Sequence, residues 1–343
     1  MRIFHIGIFE DHELGGDIIF NKGFVKNGVE VVNFDYRSYA KKYSLQRMNE
    51  EILERCTDNF DIVFIGKGEL ILPDTLREIK RKQLVTSLWF GDIYVNPPEF
   101  LKYLLPYVDF FFMTSKGRVL RKYYSICRPK VGAYIINPVD PDLAYKYNSE
   151  VTKDLDIVYT GNFYKQISSE RREVIYYLLN RKDVSFFGTI EKLLLWDKRF
   201  LMFLKKKYLE RRFHPYVRGT EYINIIKRAK IGVGANNFFN VEGYFSDRLM
   251  HYGTFGTFFI SNYFPGIEHL FEIGRNIVVY RNIDELDELI NYYLHNDEER
   301  ETIANNFKSK LIEEYSNTKI CKLILEIIQN GKSDLYEWIE IVN

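Results

Sequence analysis

The sequence predicts an α/β chain of two doubly wound domains facing each other across a cleft, on three observations. Short apolar runs alternate with amphipathic stretches from the first residue onward. Those runs are continuously apolar rather than alternating, as in strands covered on both faces. The whole pattern then restarts after Asn137-Pro138-Val139-Asp140-Pro141, a proline-rich stretch suited to a linker. Strand, helix, strand repeated in this way implies right-handed βαβ units and parallel sheets. At a prior of ~150 residues per domain, 343 residues also divide into two.

In the first half, strands are expected at Ile3–Phe9, Val29–Asp35, Asp61–Gly66, Leu84–Trp89, Asp109–Thr114 and Gly132–Ile136. Helices are expected between them at Asp17–Lys26, Leu45–Cys56, Asp74–Lys82, Pro98–Leu105 and Gly117–Ser125. In the second half the strands fall at Asp156–Tyr159, Val184–Phe187, Ile231–Gly234, Thr257–Ser261 and Ile277–Tyr280. Their helices are Ser169–Asn180, Tyr222–Ala229, Ser246–Tyr252, Ile267–Ile273 and Asp284–His295. The chain is expected to close in helices Asp297–Tyr315 and Thr318–Ile328, with a short piece near Leu335–Ile341. Ligands of open α/β sheets bind at the carboxyl ends of the strands, so the site belongs there.

Composition narrows the class. With 48 Lys+Arg against 47 Asp+Glu the net charge is +1, which argues against a surface devoted wholly to nucleic acid. Cys56, Cys127 and Cys321 are far apart and odd in number; they make no disulfide framework or zinc site and fit a reducing cytosol. The opening run MRIFHIGIFEDHELGG is too poor in consecutive apolar residues for a signal peptide, and no run approaches the ~20 residues of a membrane span. A cytoplasmic protein is expected. HExxH, GxSxG, Walker and GxGxxG patterns are absent, and Asp140-Pro141-Asp142 has Asp-x-Asp spacing only within the linker.

The stretch Tyr244-Phe245-Ser246-Asp247-Arg248-Leu249-Met250-His251-Tyr252-Gly253-Thr254-Phe255-Gly256-Thr257-Phe258-Phe259-Ile260-Ser261 resembles the donor-site segment of GT-B glycosyltransferases. It is most similar to that of the spore-maturation-protein-like group of nucleotide-sugar enzymes. An Arg-led helix, a small-residue turn ending in Gly and a buried strand make the pattern. Gly266–Phe271, Asn276–Tyr280, Asp284–Leu289 and Asn296–Ala304 continue it in order. Trp89-Phe90-Gly91-Asp92 resembles the group's Trp-Phe-x-Asp segment, and Asp156–Asn162 its second-domain strand and glycine turn. The resemblance is most specific from Ile225 to Tyr315 and implies two Rossmann-like domains. Residues 1–145 would form an acceptor-side domain, residues 150–315 a nucleotide-sugar donor domain, and 316–343 helices crossing back to the first. Retaining members often carry two Glu residues, the second five positions before the turn glycine. Here His251 holds that position, and Glu242, as the first, is offset by one residue too many. The resemblance therefore leaves donor contacts and stereochemical outcome open.

The implied reaction moves a sugar from a nucleotide donor, of the UDP or GDP type, to a saccharide, lipid-linked or other hydroxyl acceptor, with no resident metal or cofactor. Helix dipoles and cations would stabilise the leaving diphosphate instead. On the donor side the candidates are Arg248, at the start of a helix after a glycine-bearing loop, with Tyr244, Ser246, Asp247, His251 and Glu242 around it. Gly161, Asn162 and Lys165 follow the first strand of the second domain, where a phosphate would lie. Each also has a plainer reading: Arg and Lys on a solvated face, and Asp247 as a helix cap or arginine partner. Gly15 and Gly16 form a loop that lets backbone approach a ligand, or simply a tight turn. Asp92, at the end of a strand, and His12 are the catalytic candidates, as general base or acceptor ligand; a cap is the alternative for Asp92 and ordinary surface for His12. Trp89 and Phe90 can floor a sugar site or belong to the core.

One segment stands apart. Residues 190–219 carry nine Lys and Arg, among them Lys192, Lys198, Arg199, Lys205, Lys206, Lys207 and Arg212, against Glu191, Asp197 and Glu210. Lys198, Lys205 and Arg212 recur every seven residues, while Trp196, Phe200 and Phe203 take another face. Such a basic amphipathic helix can lie on an anionic membrane, grip nucleic acid, or bury its aromatics and solvate its lysines. The functional alternatives are a nucleotide-sugar epimerase or hydrolase on the same fold, a non-catalytic nucleotide-binding module, and, least supported, an NAD-dependent oxidoreductase.

Overall fold

The computed structural model describes residues 1–9, 12–163, 167–191 and 197–343. The chain divides into two compact units: Met1–Asp140 with Val241–Tyr244 and Tyr315–Asn343, and Pro141–Asn240 with Phe245–Glu314.

In the first unit six strands run parallel: β1 (Arg2–Gly7), β2 (Glu30–Asp35), β3 (Ile62–Gly66), β4 (Val85–Phe90), β5 (Phe110–Met113) and β6 (Val131–Tyr134). Their order is β2-β1-β3-β4-β5-β6. Every residue of β3, β5 and β6 is buried, which is why these strands read as unbroken apolar runs. The order reverses between β1 and β3, so the loops after those strands flank the crevice where such sheets bind ligands.

The second unit holds β7 (Leu155–Thr160), β8 (Val184–Phe187), β9 (Phe213–His214), β10 (Ala229–Val233), β11 (Phe258–Asn262) and β12 (Val278–Tyr280), all parallel. The order β9-β8-β7-β10-β11-β12 places its reversal between β7 and β10. A two-residue strand, β13 (Ile341–Val342), adds antiparallel to β6 at the edge of the first sheet.

Capping explains where the helices start. Ser44, Ser168 and Asn282 each accept a backbone N–H of the first turn, opening the helices Leu45–Arg55, Ser169–Asn180 and Ile283–His295. Within the first unit a buried pair supports the β1 loop. His5 Nε2 lies 2.9 Å from Asp17 Oδ1, and Asp17 Oδ2 accepts the Ile8 N–H at 2.7 Å.

Five elements depart from the sequence expectations. Helices at Tyr36–Lys42 and Pro141–Lys146 were not anticipated, although Asp35 caps the first by accepting from Ser38 N. Strands β9 and β13, at two residues each, are too short to produce a periodic signal. The expected helix Ile267–Ile273 is only a 3-10 turn at Ile267–His269, entered through Gly266 with φ +86°. The proline-rich stretch is also no loose linker. Val139 N–H donates to the Tyr315 carbonyl and its own carbonyl accepts from Asn317 N, while buried Asp140 meets Lys22 Nζ at 2.8 Å. The helix Asn317–Asn330 packs on Gly16–Lys26, with Cys321 Sγ 3.3 Å from the Phe20 carbonyl. Among the described residues no helix is long and apolar enough to cross a membrane.

Candidate functional site

The reversal point of the second sheet is bound together by one side chain. Arg248 stands in the first turn of the helix Asp247–Thr254, which begins at the Ser246 cap. Its Nη1 donates to the Thr160 carbonyl at 2.7 Å, directly after β7, and its Nη2 to the Ala235 carbonyl at 3.0 Å, just after β10. Nε donates to Ser246 Oγ at 2.8 Å. A guanidinium has five N–H donors, so these three bonds leave capacity, part of which goes to the Tyr159 hydroxyl. Gly161 is required by this arrangement: a Cβ there would stand 2.8 Å from Arg248 Nη1 and 3.5 Å from Arg171 Nη2.

Arg171, in the first turns of Ser169–Asn180, is a second buried guanidinium at this point. Its Nη2 lies 3.4 Å from both the Tyr159 hydroxyl and the Asn162 carbonyl. Arg248 also lies over the Tyr159 ring, 5.4 Å from its centroid. Burial pushes the Tyr159 phenol up, but the charges of Arg171 and Arg248 outweigh it and bring it down to about 8.

The other donor candidates have these partners within the protein. Asn162 Oδ1 accepts from Thr189 N and Oγ1, tying the β7 loop to the β8 loop. Ser246, not Asp247, is the helix cap; Asp247 is the exposed first helical residue. His251 faces the buried Tyr222, with Nδ1 3.3 Å from its hydroxyl. Glu242 and Tyr244 group with the first unit. The Glu242 carbonyl accepts from Lys116 N at 3.0 Å, and its carboxylate lies 3.6 Å from Lys116 Nζ, above Gly117. Tyr244 N–H closes a turn on the Val241 carbonyl. Lys165 lies outside the described residues.

In the first unit the strand ends gather Gly15, Gly16, His12 and Asp92 on the loops after β1 and β4. Gly15 caps the helix Gly16–Lys26, and its N–H donates to the half-buried His12's carbonyl. Gly16 makes its close approach to protein: a Cβ would stand 2.4 Å from Trp89 Cη2. Trp89 is half-buried, edge-on to Phe20, with Nε1 donating to Asn137 Oδ1 at 3.2 Å, whereas Phe90 is core. Asp92 Oδ2 accepts from Lys67 Nζ at 2.6 Å. Lys67 directly follows β3 in the left-handed region, φ +63°, a conformation that non-glycine residues seldom hold. Sequence reasoning missed Lys67 and Arg171. Both sit immediately after a strand or at the head of the helix behind one, the same positional rule that had pointed to Asp92.

A cavity of about 490 Å³ lined by Lys153, Lys227, Lys230 and Arg300 opens at the opposite, amino-terminal ends of β7 and β10. Among the described residues no group of three or more His, Cys, Asp or Glu could hold a metal ion.

The basic segment is shorter than its heptad suggested. Its helix is Lys198–Leu209, so Arg212 lies beyond it, after Arg211 with φ +54°. Lys192 and Trp196 fall outside the described residues. Phe200 is core and Phe203 packs against it. Lys207 is fully buried, donating to the Arg181 carbonyl and lying 3.2 Å from Glu210 Oε2.

Two Rossmann-like sheets, with reversal points at β1/β3 and β7/β10, make this a GT-B fold, the architecture of nucleotide-sugar glycosyltransferases. Residues 169–326 match a family model described as glycosyl transferase-like. HepE of Anabaena, in its complex with UDP, is similar with a TM-score of 0.66 at 12% identity, covering 96% of this chain and 100% of HepE. Sucrose-phosphate synthase of Thermosynechococcus elongatus gives 0.66 at 12% identity, over 96% of this chain and 99% of that one. A glycosyltransferase of Rickettsia africae gives 0.62 at 14%, over 96% and 97%. At such identities the likeness is one of fold. No protein of curated function matches in sequence.

Proposed function

We propose that this protein transfers a sugar from a nucleotide-sugar donor to a hydroxyl acceptor, saccharide or lipid-linked, in the cytoplasm and with no resident metal or cofactor. The observation that carries the reading is that the glycosyl transferase-like match spans Arg248 and Arg171, the two guanidiniums at the strand ends of the second unit. The Arg248 guanidinium and the N-terminus of Asp247–Thr254 meet the charge that grows on the leaving diphosphate. HepE is described in complexes with UDP and with UDP-glucose, which supports a uridine donor, with guanosine as the alternative. On the acceptor side, Asp92 takes the hydroxyl proton or orients the hydroxyl, with Lys67 beside it and His12 on the neighbouring loop.

Thermal unfolding of the full chain with UDP, GDP, their sugars and NAD(H) tests this. A ligand at ~100 times its dissociation constant adds about 2.7 kcal/mol, a readable shift. One nucleoside diphosphate and its sugar should stabilise the wild type, and Arg248→Ala should lose that increment relative to its own ligand-free melting. Stabilisation by NAD alone, or by none of these, overturns the reading.

A further inference from the structure

The outward face of the helix Lys198–Leu209 is half apolar, which a helix that merely solvates its lysines does not require. Met202 is 60% exposed, Tyr208 71%, Leu209 72% and Leu201 37%. The inward face is already satisfied by Phe200 in the core with Phe203 and Leu204 packed against it. On the exposed side Leu201 and Tyr208, Met202 and Leu209, and Lys198 and Lys205 are three pairs seven residues apart. At 3.6 residues per turn each pair forms a row about two turns long, and the lysine row runs between the apolar ones. The helix holds no Asp or Glu, and among the described residues neither Lys198 nor Lys205 has a carboxylate partner.

We propose that this face docks on an anionic lipid surface, Met202, Leu209, Leu201 and Tyr208 entering the headgroup boundary while Lys198 and Lys205 meet lipid phosphates. Apolar side chains on both sides of a lysine row suit an interface with an apolar interior, into which a helix lying flat sinks ~5–10 Å. A nucleic-acid backbone offers Met202 and Leu209 nothing to bury in, so charge and apolarity together favour the bilayer. The docking is independent of the glycosyl-transfer reading.

Co-sedimentation of the full chain with vesicles tests it, comparing mixed phosphatidylcholine and phosphatidylglycerol with phosphatidylcholine alone. Binding should be confined to the anionic vesicles and weaken with salt. At about fivefold per lysine near a charged surface, Lys198→Glu with Lys205→Glu should lose at least ~25-fold in affinity. Met202→Ser with Leu209→Ser should lose at least tenfold, with melting unchanged because these side chains face outward. Tyr208→Trp gives a readout within an otherwise intact surface: the emission added by its indole should shift to shorter wavelength on anionic vesicles. Wild type that ignores anionic vesicles, a serine variant that binds as well as wild type, or an unshifted emission from the Tyr208→Trp variant overturns the proposal. So does tighter binding to an oligonucleotide than to vesicles, or self-association that the serine variant abolishes, which would assign the face to a second copy.

Discussion

Arg248 and Thr160, 88 positions apart, meet through a 2.7 Å hydrogen bond from guanidinium Nη1 to the backbone carbonyl that ends β7. With the matching bond to Ala235, the side chain proposed to face the diphosphate is also the clasp between the two strands that flank the reversal point.

Arg248→Ala is therefore a structural as well as a functional change. It strips donors from the Thr160 and Ala235 carbonyls, and an unsatisfied buried acceptor costs about 1–3 kcal/mol. Urea unfolding should show a loss of about 2 kcal/mol, with Arg248→Lys intermediate. An Ala variant as stable as wild type would mean that water replaces the clasp.

Tyr159 makes stability depend on pH. Its phenol titrates near 8 in the folded chain, against the ordinary value of 10 when unfolded, because Arg171 and Arg248 overcome the effect of burial. Between these values the unfolded chain holds a proton that the folded chain has lost, so stability rises with pH. The contribution is complete above pH 10 and lost as pH falls through about 8. Two units correspond to about 3 kcal/mol at most. The difference in unfolding free energy between wild type and Tyr159→Phe should grow between pH 8 and 10, and ultraviolet titration should find one early phenolate that the variant lacks.

Gly16 and Trp89 should be energetically coupled. A methyl at residue 16 must displace the indole, 2.4 Å away, and overpacking of this kind costs about 1–3 kcal/mol. Gly16→Ala should destabilise the wild type by that amount and cost much less in a Trp89→Phe background. Simple additivity in the double-mutant cycle would show that the loop shifts rather than the ring.

Asp92 and Lys67 are partly exposed, so their 2.6 Å pair contributes at most about 1 kcal/mol to stability. Asp92→Asn should leave melting nearly unchanged while lowering turnover with a competent acceptor at least about a hundredfold, the low end for a general base. Full activity in that variant would return Asp92 to a loop ion pair.

Most of the architecture was legible in the chain because strands and helices are encoded locally. The run Ile62–Gly66 is apolar at every position since both its faces are covered, and Ser168 announces the helix Ser169–Asn180 by its capping side chain. The candidate site was legible only as a set of positions, Asp92 at the end of a strand and Arg248 at the head of a helix in the segment that carries the family resemblance. What those residues touch was decided by the tertiary structure. Glu242 lies next in sequence to the donor segment yet groups with the first unit, where Lys116 holds it. Lys207, in a row of three lysines, is the one turned inward to a backbone carbonyl and Glu210. Gly16 is small for the sake of Trp89, 73 positions away. Periodicity and capping act over a few residues and can be read along the chain. Hydrogen bonds, close approaches and the faces that helices leave exposed depend on partners brought from distant positions, and these exist only once the sheets have formed.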